Sequence, residues 1–279
     1  MPILTLPEHS LHYRIDGAGP GRPWLLFCNS LGTTLEMWDH QVEALGRYFR
    51  ILRYDRRGHG LSTSPPRPFA LSDLGEDVLK LLDSLGIERT HFCGLSIGGL
   101  VGQWLAINAP HRLDRIVLAA TASRIGTAEG WQARRESVER DGLEPLRAAT
   151  LERWFSPAFA AANGDLVAPV LDAFVKTSVA GYAGCCAALS DADFTQALTT
   201  IPHPLLAIAG ESDPVCPPAD LESLALGVRD GRSMALPGRH IVNIEAADAF
   251  NSAVLAFLRG CVGAASCIPD QPVGHPANN

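Results

Sequence analysis

Apolar residues follow one another along this chain in two alternating rhythms. Continuous runs recur at 24–28 (WLLFC), 50–55 (RILRYD), 91–95 (HFCGL), 115–120 (RIVLAA), 204–210 (PLLAIAG) and, more weakly, 232–237 (RSMALP). A run with no polar alternation suits a strand covered on both faces, hence a parallel sheet between helical layers. Helical spacing falls between the runs. Leu71, Leu74, Val78, Leu81, Leu82 and Leu85 share one stripe, and Gly86 is placed to stop that helix. Residues 97–109 form a second helix, closed by Pro110, and 244–258 a last one. Residues 1–20 read as two short strands, the second being LHYRI. Alternation of this kind predicts an α/β fold: a mostly parallel central sheet with helices on both faces and right-handed crossovers.

The rhythm breaks between residues 124 and 200. No strand-like run occurs there, and the segments WQARRESVERDG, EPLRAATLERWF and GDLVAPVLDAFVKTSV favour helix. The expected organisation is therefore a sheet core of residues 1–123 and 201–261, carrying a helical lid over 124–200. Residues 262–279 lack periodicity and are expected to be a disordered tail.

Composition narrows the function classes. The 279 residues are 47% hydrophobic with a net charge of −7, which excludes a basic footprint for nucleic acid. An anionic ligand would need local arginines rather than a global field. No stretch approaches the ~18 uninterrupted apolar residues of a membrane span. The start, MPILTLPEHS, has no basic segment ahead of a long apolar core, so no secretory leader is expected. Seven cysteines, an odd number without C-x-x-C spacing, fit reduced thiols in a cytoplasmic protein. Neither a cofactor nor a metal is expected, because no third histidine or carboxylate cluster accompanies the candidate residues. The sequence leaves a homo-oligomer open.

The most informative stretch is Gly94-Leu95-Ser96-Ile97-Gly98, between a strand-like run and a helix. A hydroxyl that must stand above a sheet needs a tight turn, and residues two before and two after it would collide unless both were glycine. Such a turn leaves the Ile97 N–H at a helix start, aimed at whatever Ser96 attacks. Serine at its free pKa is inert and needs a base held by an acid. Asp213 follows the fifth run and His240 the sixth, both past carboxyl ends of strands. They are the expected acid and base, with Glu211 the rival acid. The Leu31 N–H, on the loop after the first run, is the expected second oxyanion donor. His59 reads as part of a structural turn; His9, His12, His111, His203 and His275 read as surface or loop residues.

FCNSLGTTLEMWDHQ, RYDRRGHGLS, CGLSIGGLVGQWLA, GWQARRESVERDG, GYAGCCAAL and LPGRHIVNIEAADAFN together resemble the 3-oxoadipate enol-lactonases of the α/β-hydrolase superfamily. The Asn29-Ser30-Leu31-Gly32 loop is the most telling, because most of that superfamily carries a His-Gly pair there. The resemblance implies the α/β-hydrolase fold and hydrolysis of 3-oxoadipate enol-lactone to 3-oxoadipate in aromatic catabolism, the beta-ketoadipate pathway. Carried onto this chain, the nucleophile is Ser96, the acid Asp213, the base His240, and the oxyanion donors are Leu31 and Ile97. Such a substrate bears a free carboxylate. Trp131, Arg134 and Arg135 share one face of a helix at about 100° per residue, so Trp131 is expected to line the pocket and Arg134 or Arg135 to hold that carboxylate. A carboxylesterase or cofactor-free haloperoxidase-like hydrolase with the same residues stands as one alternative, a non-catalytic ligand-binding protein as another.

Overall fold

The computed structural model describes residues 2–17, 19, 21–65 and 68–260. The tail expected over 262–279, with Cys267 and His275, lies outside them, as does Cys261. Eight strands form one sheet: β1 Ile3–Thr5, β2 Ser10–Asp16, β3 Trp24–Cys28, β4 Arg50–Tyr54, β5 Thr90–Leu95, β6 Leu113–Ala119, β7 Leu205–Gly210 and β8 Gly231–Leu236. Their order across the sheet is β1-β2-β4-β3-β5-β6-β7-β8. β2 runs antiparallel to β1 and β4, and every later pairing is parallel.

Burial explains the strength of each run in the sequence. All six residues of β7 are buried, as are Leu25 to Cys28 of β3, because helices cover both faces there. β8 is the sheet edge. Only Leu236 is buried in it, so its pattern carries little signal.

The helices of the core are α1 Asp39–Leu45, α2 Leu71–Ser84, α3 Ile97–Asn108, α9 Pro218–Gly227, α10 Val242–Glu245 and α11 Ala247–Leu258. Gly86 sits at φ +63° just past α2, the left-handed geometry that ends a helix without a Cβ penalty. Two core helices escaped the periodicity reading. α1 has seven residues and α9 ten, too few for an apolar stripe to stand out. The single helix expected over 244–258 is instead α10 and α11, separated at Ala246 (φ −121°, ψ 43°). At that break the Glu245 carboxylate accepts the N–H groups of Ser156 (3.2 Å) and Arg239 (2.9 Å), which ties the turn to its neighbours.

Between β6 and β7 the elements are helical: α4 Ala128–Asp141, α5 Arg147–Trp154, α6 Pro157–Ala162, α7 Gly164–Lys176 and α8 Val179–Asp191. α4 packs along α8. Among the described residues no single helix is long and apolar enough to cross a membrane; α7 and α8 pass that test only as a pair bent by 90°.

The insertion is seated on the core through the loop after β4. Gly58, at φ +74°, lies with its Cα against the backbone of Gly181 in α8, and the Ser178 N–H donates to the Gly58 carbonyl at 3.1 Å. A methyl group at either glycine would meet main chain, which cannot step aside. Gly58→Ala is therefore expected to lower stability by about 2 to 3 kcal/mol, read as the denaturant midpoint, while a Gly21→Ala control with no neighbour within 4 Å of its added Cβ carries only the cost of its positive φ.

Candidate active site

Ser96 joins β5 to α3 and holds φ 60°, ψ −121°, left-handed geometry that a residue with a side chain adopts only under constraint. Packing imposes it. A Cβ on Gly94 would strike the Gly98 carbonyl, and one on Gly98 would strike the carbonyls of Cys28 and Asn29. Only two glycines let strand, turn and helix pass beneath the end of β3. The Ser96 N–H donates to Ala119 O at 2.9 Å, and the Thr121 hydroxyl donates to Ser96 O at 2.8 Å. Ile97 is the first residue of α3, so its N–H has no intrahelical carbonyl to meet.

Asp213 lies on the loop after β7 and His240 on the loop after β8, both buried. The His240 Nδ1 lies 2.8 Å from the Asp213 Oδ2. A carboxylate can only accept there, so Nδ1 carries a proton and donates it to that bond. The other Asp213 oxygen accepts the Val215 N–H at 2.8 Å. Glu211, the rival acid, is exposed. Ser96 and His240 line one cavity of about 140 Å³ together with Ser30 and Leu31. Cys216 Sγ, Asp213 and His240 place ligand-type atoms within 4.8 Å of one another. Burial, then the charges of Asp213 and Asp220, push the Cys216 thiol well up, so it is a poor metal ligand.

The loop after β3 is fixed by side chains at every step. Asn29 donates Nδ2–H to Tyr54 O at 3.0 Å and accepts the Trp38 indole N–H at 2.9 Å. The Thr33 hydroxyl donates to Ser30 O at 2.9 Å. The Gly32 N–H donates to His59 Nε2 at 3.0 Å. Gly32 has φ +77°, and a Cβ there would meet the ring of Phe174. Burial, and after it the charge of Arg56, push His59 down to about 3. His59 is thus a neutral acceptor, a role the reading of a simple turn did not include.

The helical insertion forms the cavity roof. Trp131 and Arg134 of α4 line it. The Trp131 indole N–H is spent on Ile125 O at 2.6 Å, which leaves the ring to face the cavity. Arg135 does not line it. Its guanidinium pairs with Glu139 at 2.9 Å one turn along α4, beside a separate surface pocket; the helix turns by about 100° per residue, enough to carry the next side chain off the lining face. The second cation of the cavity is Arg153 of α5, which sequence spacing could not find because it comes from another helix. Arg153 donates to the Thr150 hydroxyl at 3.0 Å. Burial, then the nearby charge of Arg134, lowers its affinity for a proton. No Asp or Glu is among the described residues that line the cavity. Trp154, Phe174 and Tyr182 complete the wall through edge-on ring contacts at 5.5 and 5.8 Å. Burial pushes the Tyr182 phenol up to about 12, so it faces the cavity as a neutral hydroxyl.

Two other histidines depart from the surface reading. His12 lies in β2 and is buried, with Nδ1 at 2.7 Å from Asp55; His203 lies on a loop, within the surface-or-loop reading, but its side chain is buried rather than at the surface.

Residues 23–247 match the family description of the alpha/beta hydrolase fold. The chain is 41% identical over 256 residues to 3-oxoadipate enol-lactonase 2 of Acinetobacter baylyi, covering 92% of this chain and 96% of that protein. It superposes on the crystal structure of the enol-lactonase from Burkholderia xenovorans LB400 with a TM-score of 0.90 and 42% identity, covering 92% of this chain and all of that one. A hydrolase from Pseudomonas aeruginosa is similar at a TM-score of 0.89 and 44% identity, over 92% and 97% of the two chains.

A histidine held near 3 when folded and near 6.5 when unfolded makes stability depend on pH. Between those values the unfolded chain binds a proton at His59 and the folded chain does not. Stability is full above about pH 6.5 and falls by about 1.4 kcal/mol per pH unit as acid is added. In denaturant titrations at pH 7, 6 and 5, His59→Gln is expected to show a shallower acid decline than the parent.

Proposed function

The chain belongs to the α/β-hydrolase family and is a hydrolase of ester bonds, and from that premise we propose that it opens 3-oxoadipate enol-lactone to 3-oxoadipate. The observation that carries this reading is the pair of guanidiniums, Arg134 and Arg153, on a cavity wall that lacks a carboxylate and stands over Ser96 and His240. Two half-buried cations on one wall without a lining acid repel each other and are partly desolvated, which is costly. A small ester that brings its own carboxylate relieves it.

In the proposed reaction the Ser96 hydroxyl adds to the lactone carbonyl while His240 Nε2 takes its proton. The Leu31 and Ile97 N–H groups hold the developing oxyanion, each worth about 3 kcal/mol of barrier. The tetrahedral centre collapses by breaking the bond to the ring oxygen, which leaves as an enolate. That enolate takes up the proton held by His240 and tautomerises to the ketone, so the ring does not close again and the imidazole is a base once more. A water molecule, deprotonated by His240, then adds to the acyl-serine and releases Ser96 and the second carboxylate. Asp213 holds the imidazole in its reactive tautomer throughout. Arg134 and Arg153 receive the carboxylate already present on the substrate, Trp131 covers the ring, and Thr150 and Tyr182 offer hydroxyls to its edge. No step calls for a cofactor. We place the reaction in aromatic catabolism, by way of the beta-ketoadipate pathway, and in the cytoplasm; the five described cysteines, all free thiols, support a reducing compartment.

Loss of ultraviolet absorbance by the purified enol-lactone tests the reading directly. kcat/KM on it is expected to exceed that on p-nitrophenyl acetate; the reverse order would make the chain a general esterase. Ser96→Ala and His240→Ala are expected to lower kcat by about 10⁴ to 10⁶ with folding intact, and Asp213→Asn by about 10⁴. Arg134→Ala and Arg153→Ala should each cut kcat/KM on the carboxylated lactone by about 10-fold or more, the loss of one charge-assisted hydrogen bond, and leave p-nitrophenyl acetate nearly unaffected. Arg135→Ala should change neither.

A further inference from the structure

We propose that His59 is a positioning residue for the oxyanion donors, acting as a fixed neutral acceptor that sets the orientation of the peptide after Leu31. The proposal rests on the serine-hydrolase reading above. Its geometry is independent of the catalytic cluster. His59 Nε2 accepts the Gly32 N–H at 3.0 Å, and the His59 Nδ1 lies 3.2 Å from Arg57 O. The first bond needs a lone pair on Nε2 and the second needs a proton on Nδ1, so one neutral tautomer satisfies both. The ring is buried.

The Leu31–Gly32 peptide has no sheet or helix ladder to hold it. Its N–H is committed to His59, which fixes the rotation of that peptide plane and, through the Leu31 dihedrals, the direction of the Leu31 N–H on the preceding peptide. On its far side Gly32 meets Phe174 of α7, so the loop is clamped between the ring of His59 and the insertion. A misdirected donor costs rate without costing affinity, because the oxyanion exists only along the reaction path. A histidine serves better than a carboxylate at this position. Arg56 stands close by with a buried guanidinium, and a carboxylate would be drawn to that charge and away from the peptide N–H.

The experiment is steady-state hydrolysis of p-nitrophenyl acetate, a neutral ester that bypasses Arg134 and Arg153. His59→Leu, close in size and without an acceptor, is expected to lower kcat about 10- to 100-fold with KM changed less than about 3-fold, a fraction of what deleting a donor outright costs. His59→Gln, which offers an amide oxygen to Gly32, is expected to recover kcat to within about 5-fold of the parent. The acid limb of its pH–rate profile should coincide with the parent's, because neither side chain ionises there. His59→Asn, polar but too short to reach Gly32, is the second variant should His59→Leu not fold, and it should lose kcat as His59→Leu does. A lowered Tm with kcat unchanged, a His59→Gln as slow as His59→Leu, or an acid limb that moves with residue 59 would each overturn the proposal. A parent protein that turns over neither p-nitrophenyl acetate nor the enol-lactone would overturn the functional reading itself, whereas an active parent with an equally active His59→Leu overturns only the role of His59.

Discussion

The structure depends on one strained residue held beneath one loop. Ser96 occupies left-handed backbone, a conformation that costs on the order of 1–3 kcal/mol and persists only when its surroundings over-determine it. Here the surroundings are backbone. Gly94 and Gly98 close on each other and on the last carbonyls of β3, and Gly99 lies against Thr121, whose hydroxyl holds the Ser96 carbonyl. The buried carboxyl-terminal halves of β3, β5 and β6 cannot shift to relax the turn without opening the core. The same contacts that force the strain place the hydroxyl, the start of α3 and the loop after β3 on one side of the sheet.

That arrangement divides labour between the two parts of the chain. The sheet supplies the groups proposed to do the chemistry, at carboxyl ends of β3, β5, β7 and β8. The helices between β6 and β7 supply the groups proposed for recognition: Trp131 and Arg134 from α4, Arg153 from α5, Phe174 from α7 and Tyr182 from α8 line the cavity. The aromatic wall does more than fill space. It lowers the local dielectric, which strengthens the attraction of two guanidiniums for an incoming carboxylate and raises the cost of leaving them unpaired. The proposed binding of an anion by a chain of net charge −7 rests on a field set within a few ångströms.

The loop after β4 joins these halves. It is anchored by buried polar contacts: a hydrogen bond of Asp55 with His12 at 2.7 Å, and the Arg57–Asp77 ion pair through two bonds of 2.7 Å. Burial raises the Asp55 carboxyl, and the bonds from His12 and from the Leu35 and Leu61 N–H groups oppose that rise. Such pairs add little net stability once desolvation is counted. Their effect is to fix where Gly58 meets α8 and where His59 meets Gly32. The insertion and the loop after β3 therefore share a support although they contact it from opposite sides.

Residues 94–98, Asp213 and His240 were legible in the sequence because their constraints are local. A hydroxyl between two glycines at a strand–helix junction has few other uses, and sheets of this kind present functional side chains after strand ends. The buried runs were legible for the same reason: a strand covered on both faces cannot hide its composition, whereas α1, α9 and edge strand β8 are too short or too exposed to leave a pattern. Periodicity could place Arg134 and Arg135 on one broad helix face and could not tell which of them looks inward, since α8 sets the rotation of α4. Arg153 and the bond from Gly32 to His59 had no signal at all, being contacts between segments far apart in sequence. The chain alone pointed to the residues proposed to react; only the packing of helices on the sheet decided which arginines share the cavity and which ring holds the loop, because side-chain convergence across segments is a property of tertiary geometry and has no period to read.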